Sequence, residues 1–76
     1  MIRVLIVDDS QVVRDFLTYI LSSDPAIQII GTAGNGEEAV HAVRDKKPDV
    51  VTMDVNMPKM DGLEATRIIM ETTPTP

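Results

Sequence analysis

Two acidic side chains, Asp8 and Asp9, stand side by side directly after the apolar run "IRVLIV" at 2–7, and a third, Asp54, follows "DVVTM" at 49–53. Adjacent carboxylates repel each other and each prefers water, so a pair at the mouth of a buried strand needs something to neutralise it. The residue types narrow the choice. The chain has no cysteine, which excludes a thiolate metal site and a disulfide framework. Oxygen-only ligands in small number, with room for water, suit magnesium better than zinc. An ion held there would also bind the oxygens of an incoming phosphoryl group, and a helix N-terminus beside it would favour that negative charge. A strand-end carboxylate can itself act as a nucleophile toward phosphorus.

Plainer explanations exist for each part. An acid pair ahead of a helix is a favourable placement against the helix dipole, and one aspartate at a strand end says little. The combination says more, provided the two strand ends lie next to each other. That depends on the elements that carry them.

The run at 2–7 is β-branched and too apolar to alternate, as in a parallel strand covered on both faces. Val12, Val13, Phe16, Leu17, Ile20 and Leu21 then recur at helical spacing, giving a helix with one apolar face and Ser10 placed to cap it. "SSDP" stops this helix, because Pro25 disfavours helical geometry at Asp24. A second strand follows at 27–33, and "GNGEEAVHAV" is a turn and a helix start, with Asn35 and Glu38 at capping-box spacing. The third strand is 49–53, "NMPKMDG" is a loop, and Asp61 with Glu64 repeats the capping spacing ahead of a third helix. This βαβαβα order with short, right-handed connections predicts a doubly wound α/β fold: a three-strand parallel sheet with helices on both faces. Crossovers on opposite faces put strand 1 between the others, in order 2-1-3. Strands 1 and 3 are then neighbours about 4.8 Å apart. Asp8, Asp9 and Asp54 meet at the carboxyl edge, where open parallel sheets bind ligands.

Composition bounds the rest. A chain of 76 residues is at most one small domain, able to hide only about 60% of its unfolded surface. Seven basic against twelve acidic residues give a net charge of −5, with the acids scattered, which argues against nucleic-acid partners and against anionic membranes. The apolar stretch at 4–7 is too short for a signal peptide or a spanning helix, so a soluble cytoplasmic protein is expected. "GNG" lacks the third glycine of a dinucleotide fingerprint and reads as a turn. His41 falls on a solvated helix face, and "RDKK" at 44–47 reads as a solvated helix end. Met53, Met57, Met60 and Met70 form no stripe and read as core and loop filler.

"VLIVDDS", "DVVTMDVNMP" and "MDGLEATR", in this order and spacing, resemble the receiver domain of two-component response regulators. The resemblance covers the whole chain. It implies a domain that takes a phosphoryl group from a histidine kinase onto an aspartate, with Mg2+ as cofactor. Position by position, Asp54 matches the phosphoacceptor, Asp8 and Asp9 the magnesium-binding pair, and Asn56 the residue whose backbone carbonyl completes the ion's shell. "LSSDPAIQIIGTA", "PDVVTMDVNMPKMDGLEATRIIM" and "PTP" are similar to the N-terminal regulatory domain of the chemotaxis protein-glutamate methylesterases. On that resemblance the partners are a chemotaxis-type histidine kinase and the protein's own C-terminal output domain, and the enzyme is the parent protein rather than this segment.

A receiver has five strands and five helices, with a Ser or Thr at the end of strand 4 and a Lys at the end of strand 5. Residues 1–76 are therefore expected to be the N-terminal part, strands 1–3 and helices 1–3. The 76-residue chain alone would present an open strand-3 edge, a template for self-association. Three other readings remain: the receiver of a DNA-binding transcriptional regulator, an Asp-nucleophile phosphatase, and an inert interaction fragment. The phosphatases place nucleophile and acid two residues apart on one strand, whereas these acids are adjacent and the third is on another strand.

Overall fold

The strand that carries the acid pair, β1 (Ile2–Val7), lies between β2 (Ile27–Ala33) and β3 (Val50–Met53) in a parallel sheet of order β2-β1-β3. Helices α1 (Gln11–Ser22), α2 (Gly36–Lys46) and α3 (Gly62–Thr72) complete the alternation. This computed structural model describes residues 1–54, 62–72 and 75–76. The expectations that fall on Asn56, Met57, Met60 and Asp61 lie outside the described residues.

Register decides what the sheet edge presents. Val7 stands level with Ala33 on one side and Met53 on the other, so all three strands end together. Two hydrogen bonds close the ladder there, from Asp8 N–H to the Ala33 oxygen and from Asp54 N–H to the Val7 oxygen, each 3.1 Å. At the opposite end, Asp49 folds its carboxylate onto the Arg3 amide at 2.8 Å. The Asp49 N–H still donates to the Arg3 oxygen at 2.8 Å, but the Arg3 amide bonds the Asp49 carboxylate instead of a strand carbonyl, and β3 begins at Val50, one residue later than the strand expected over 49–53.

Leu5 and Val7 point to one face, where they meet Ala33, Ala39 and Val43 of the β2–α2 unit and Ile69 of α3. Val4 and Ile6, also buried, alternate to the other face, over which α1 lies. The apolar face of α1 is less covered than its sequence implies. Phe16 is 60% exposed and Ile20 44%, and no α1 residue is fully buried. Among the described residues the helix rests mainly on β2 and β1, so its inner flank of Leu17 and Leu21 is half-buried while Val13, Phe16 and Ile20 are exposed. Met70, read as filler, is 52% exposed, whereas Met53 does lie against the core. His41 is exposed, as its helix face requires.

The edges are treated differently. Along β2 the pairing slips between Val4 and Leu5, leaving Ile30 without a strand partner. The Lys46 ammonium lies over this bulge and donates to the Ile30 oxygen at 3.3 Å. A bulge with a lysine is a common device for blunting an edge strand. Lys46 is therefore more than part of a solvated helix end, and a Cβ at Gly31 would meet its Nζ at 2.7 Å. Along β3, Val51 N–H donates to the Pro76 oxygen at 2.8 Å, so the tail occupies the start of an edge expected to be bare.

Candidate functional site

The loop after β1 is short and is turned by bonds to Asp8 and Ser10. Asp8 Oδ1 accepts from Ser10 N–H at 2.9 Å, which turns the chain and sets Ser10 as the cap of α1, its hydroxyl accepting from Val13 N–H at 3.3 Å. The Asp8 carbonyl accepts from Arg14 Nη1 at 2.5 Å. One carboxylate oxygen, Oδ2, is thus left to Asp8. Asp9 is exposed and makes no hydrogen bond among the described residues.

The structure brings the three expected carboxylates together. One ligand oxygen from each of Asp8, Asp9 and Asp54 can be chosen so that all lie within 4.8 Å of one another, with Asp8 and Asp54 half-buried and Asp9 exposed. Three carboxylates open to water on one side, with no imidazole or thiolate among them, form a hard-oxygen donor set that fits magnesium. The first turn of α1 begins three residues after Asp8, so the positive end of a helix dipole faces the same space. Asn56 is outside the described residues.

The turn after β2 forms the neighbouring wall. Asn35 Oδ1 accepts from Glu38 N–H at 2.9 Å, as the capping spacing predicts. The Glu38 carboxylate reaches one residue further than in a standard capping box, taking Gly34 N–H at 2.9 Å and Asn35 Nδ2 at 3.2 Å. Sequence reasoning missed Arg14, which bonds the turn after β1 and lies beside the turn after β2. A signal was present. A cation in the first turns of a helix opposes the dipole, so a partner beyond the helix was to be sought.

Comparison with known proteins agrees with the geometry. Residues 4–76 match the response regulator receiver domain family. The chain is 64% identical over 76 residues to a protein-glutamate methylesterase/protein-glutamine glutaminase of Nitrosospira multiformis, covering 100% of this chain and 21% of that protein. The chain thus spans about a fifth of the length of the curated relatives it matches. Among solved structures, the response regulator domain of Thermotoga maritima CheB superposes with a TM-score of 0.97 at 47% identity, over 99% of this chain and 56% of that one. The CheX–CheY–BeF3–Mg2+ complex of Borrelia burgdorferi superposes at 0.89 with 44% identity, over 95% and 55% of the two chains.

Proposed function

The chain belongs to the response regulator receiver family, and from that premise we propose that Asp54 accepts the phosphoryl group while Asp8 and Asp9 hold magnesium. The observation that carries this reading is the meeting of three carboxylates within 4.8 Å at one sheet edge. Magnesium, when bound, neutralises charge on the phosphoryl oxygens. A carboxylate oxygen of Asp54 attacks phosphorus in line, and the new O–P bond forms as the bond between phosphorus and its donor breaks. The product is an acyl phosphate, a mixed anhydride that can bias two conformations of a receiver. Asp9, with both carboxylate oxygens available, would be the direct ligand of the pair. Asp8, with one oxygen committed to Ser10, would bind partly through water. By its place in the family's motif, the Asn56 backbone carbonyl would complete the shell.

We further infer the wider setting. In it, residues 1–76 supply strands 1–3 of a receiver that regulates a C-terminal protein-glutamate methylesterase/glutaminase domain. The identity of 64% to such a protein favours this output over a DNA-binding one. The phosphodonor is then a chemotaxis-type histidine kinase and the compartment the cytoplasm; no helix among the described residues is long and apolar enough to cross a membrane. Exposure of the intact protein to acetyl phosphate and Mg2+ tests the reading. Stable labelling at one site supports a receiver, rapid turnover would indicate a phosphatase, and no labelling an inert fragment.

A further inference from the structure

Asp9 is exposed and makes no hydrogen bond among the described residues, so its placement is inherited from the peptide that joins it to Asp8. That peptide is held from behind. Arg14 Nη1 donates to the Asp8 carbonyl at 2.5 Å, and Nη2 donates to Gln11 Oε1 at 2.6 Å. Gln11 is steadied in turn, its Nε2 donating to Asp15 Oδ1 at 2.8 Å. The planar guanidinium is therefore anchored at both ends, which fixes the plane of the Asp8 carbonyl as a single flexible donor could not. Asp8 N–H is already committed to Ala33, so the residue is tied on each side.

The guanidinium passes close to the turn after β2. A Cβ at Gly34 would lie 3.2 Å from Arg14 Nη1 and 3.3 Å from Glu38 Oε2. The missing side chain at Gly34 gives the clamp its room.

We propose that Arg14 is a positioning residue for the acid pair, holding the Asp8–Asp9 peptide in the orientation that presents both carboxylates to magnesium, with Gln11 closing the clamp and Gly34 leaving space for it. The inference rests on the reading of Asp8 and Asp9 as magnesium ligands. Geometry and charge here have opposite signs, which makes the role separable. Removing a cation bonded to the peptide that carries the acid pair strengthens magnesium binding by Coulomb's law. Releasing the peptide weakens it, because supports behind metal ligands govern affinity, typically by about 10-fold or more.

The test is a Mg2+ titration of the intact protein followed by the amide resonances of Asp8 and Asp9, which report folded molecules only. Arg14→Met is expected to raise the dissociation constant about tenfold. Arg14→Lys, which keeps the charge but lacks the fork, is expected to fall between Met and wild type. Gly34→Ala, which leaves every clamp residue in place but crowds the guanidinium, is expected to weaken binding in the same direction, and it decides the matter if Arg14→Met does not fold. Unchanged or tighter binding in Arg14→Met and Gly34→Ala, with normal binding in wild type, would overturn the positioning role alone. A wild-type protein that bound no magnesium would overturn the reading of the acid pair and this inference with it.

Discussion

Asp54 donates its amide N–H to the carbonyl oxygen of Val7 at 3.1 Å, and Val7 is the residue directly before the acid pair. A backbone ladder bond, rather than a loop contact, therefore sets the separation of the proposed acceptor from the proposed ion ligands. Sheet ladders are among the stiffer parts of a domain, which suits a site whose ligands must stay within reach of one ion.

The two members of the pair are expected to differ. Asp9→Ala should weaken Mg2+ binding most, because both its oxygens are available. Asp8→Ala should weaken binding less but also lower stability, since Ser10 N–H loses its acceptor. Affinity should fall on acidification for every variant, because protonated carboxylates are poor ligands. Calorimetric titration with paired urea denaturation measures both effects. Equal affinity in wild type and Asp9→Ala would contradict the assignment.

The ends of α2 make a second test. Asn35→Ala removes the N-cap acceptor and should cost about 1 kcal/mol. At the other end Lys47 has φ 48°, left-handed geometry that an L side chain adopts at a cost of order 1 kcal/mol. Arg3 holds this end, donating to the Lys46 and Lys47 carbonyls at 2.8 Å each. Lys47→Gly is therefore expected to stabilise by up to about 1 kcal/mol. Destabilisation by Lys47→Gly in thermal unfolding would show that the Lys47 side chain matters more than its backbone.

Thr52 has a buried hydroxyl with no partner among the described residues, at the position level with Ile6. An orphaned polar atom costs about 1–3 kcal/mol. Thr52→Val keeps the shape and removes the orphan, so it should be neutral or stabilising. A loss above about 1 kcal/mol, the net value of a typical hydrogen bond, would mean that the hydroxyl has a partner in the folded protein.

These residues also mark what was legible beforehand. The strand order, the β2 bounds and the convergence of Asp8, Asp9 and Asp54 follow from period, chirality and register, which are local or nearly so. The Ser10 and Asn35 caps were equally readable, since each bonds within three residues. For Arg14 only the unfavourable charge near the helix start was readable, not its partner, because the bond to Asp8 runs from a helix back over its own start. The half-covered face of α1 was hidden for another reason. Periodicity tells which side of a helix is apolar, but the breadth of sheet beneath it is set by tertiary packing. Pro76 pairing with Val51 was likewise invisible, since the tail has no strand pattern of its own.

The 76-residue polypeptide prepared alone offers a test of the β3 edge. Pro76 satisfies Val51 N–H, but the strand remains at the border of the sheet, and Phe16 and Ile20 stay largely exposed. It is expected to be partly unfolded or to self-associate through that edge. Sedimentation and circular dichroism across a concentration series decide between this and a cooperative monomer at all concentrations, which would contradict it.

The most direct test of the phosphoacceptor assignment is the chemistry of the label itself. Treated with a phosphodonor and Mg2+, the intact protein should acquire one acid-stable, hydroxylamine-sensitive phosphoryl group. Asp54→Asn should abolish it. Asp49→Asn should retain it, because Asp49 sits at the far end of the sheet against Arg3. Labelling that persists in Asp54→Asn and maps to another aspartate would contradict the account.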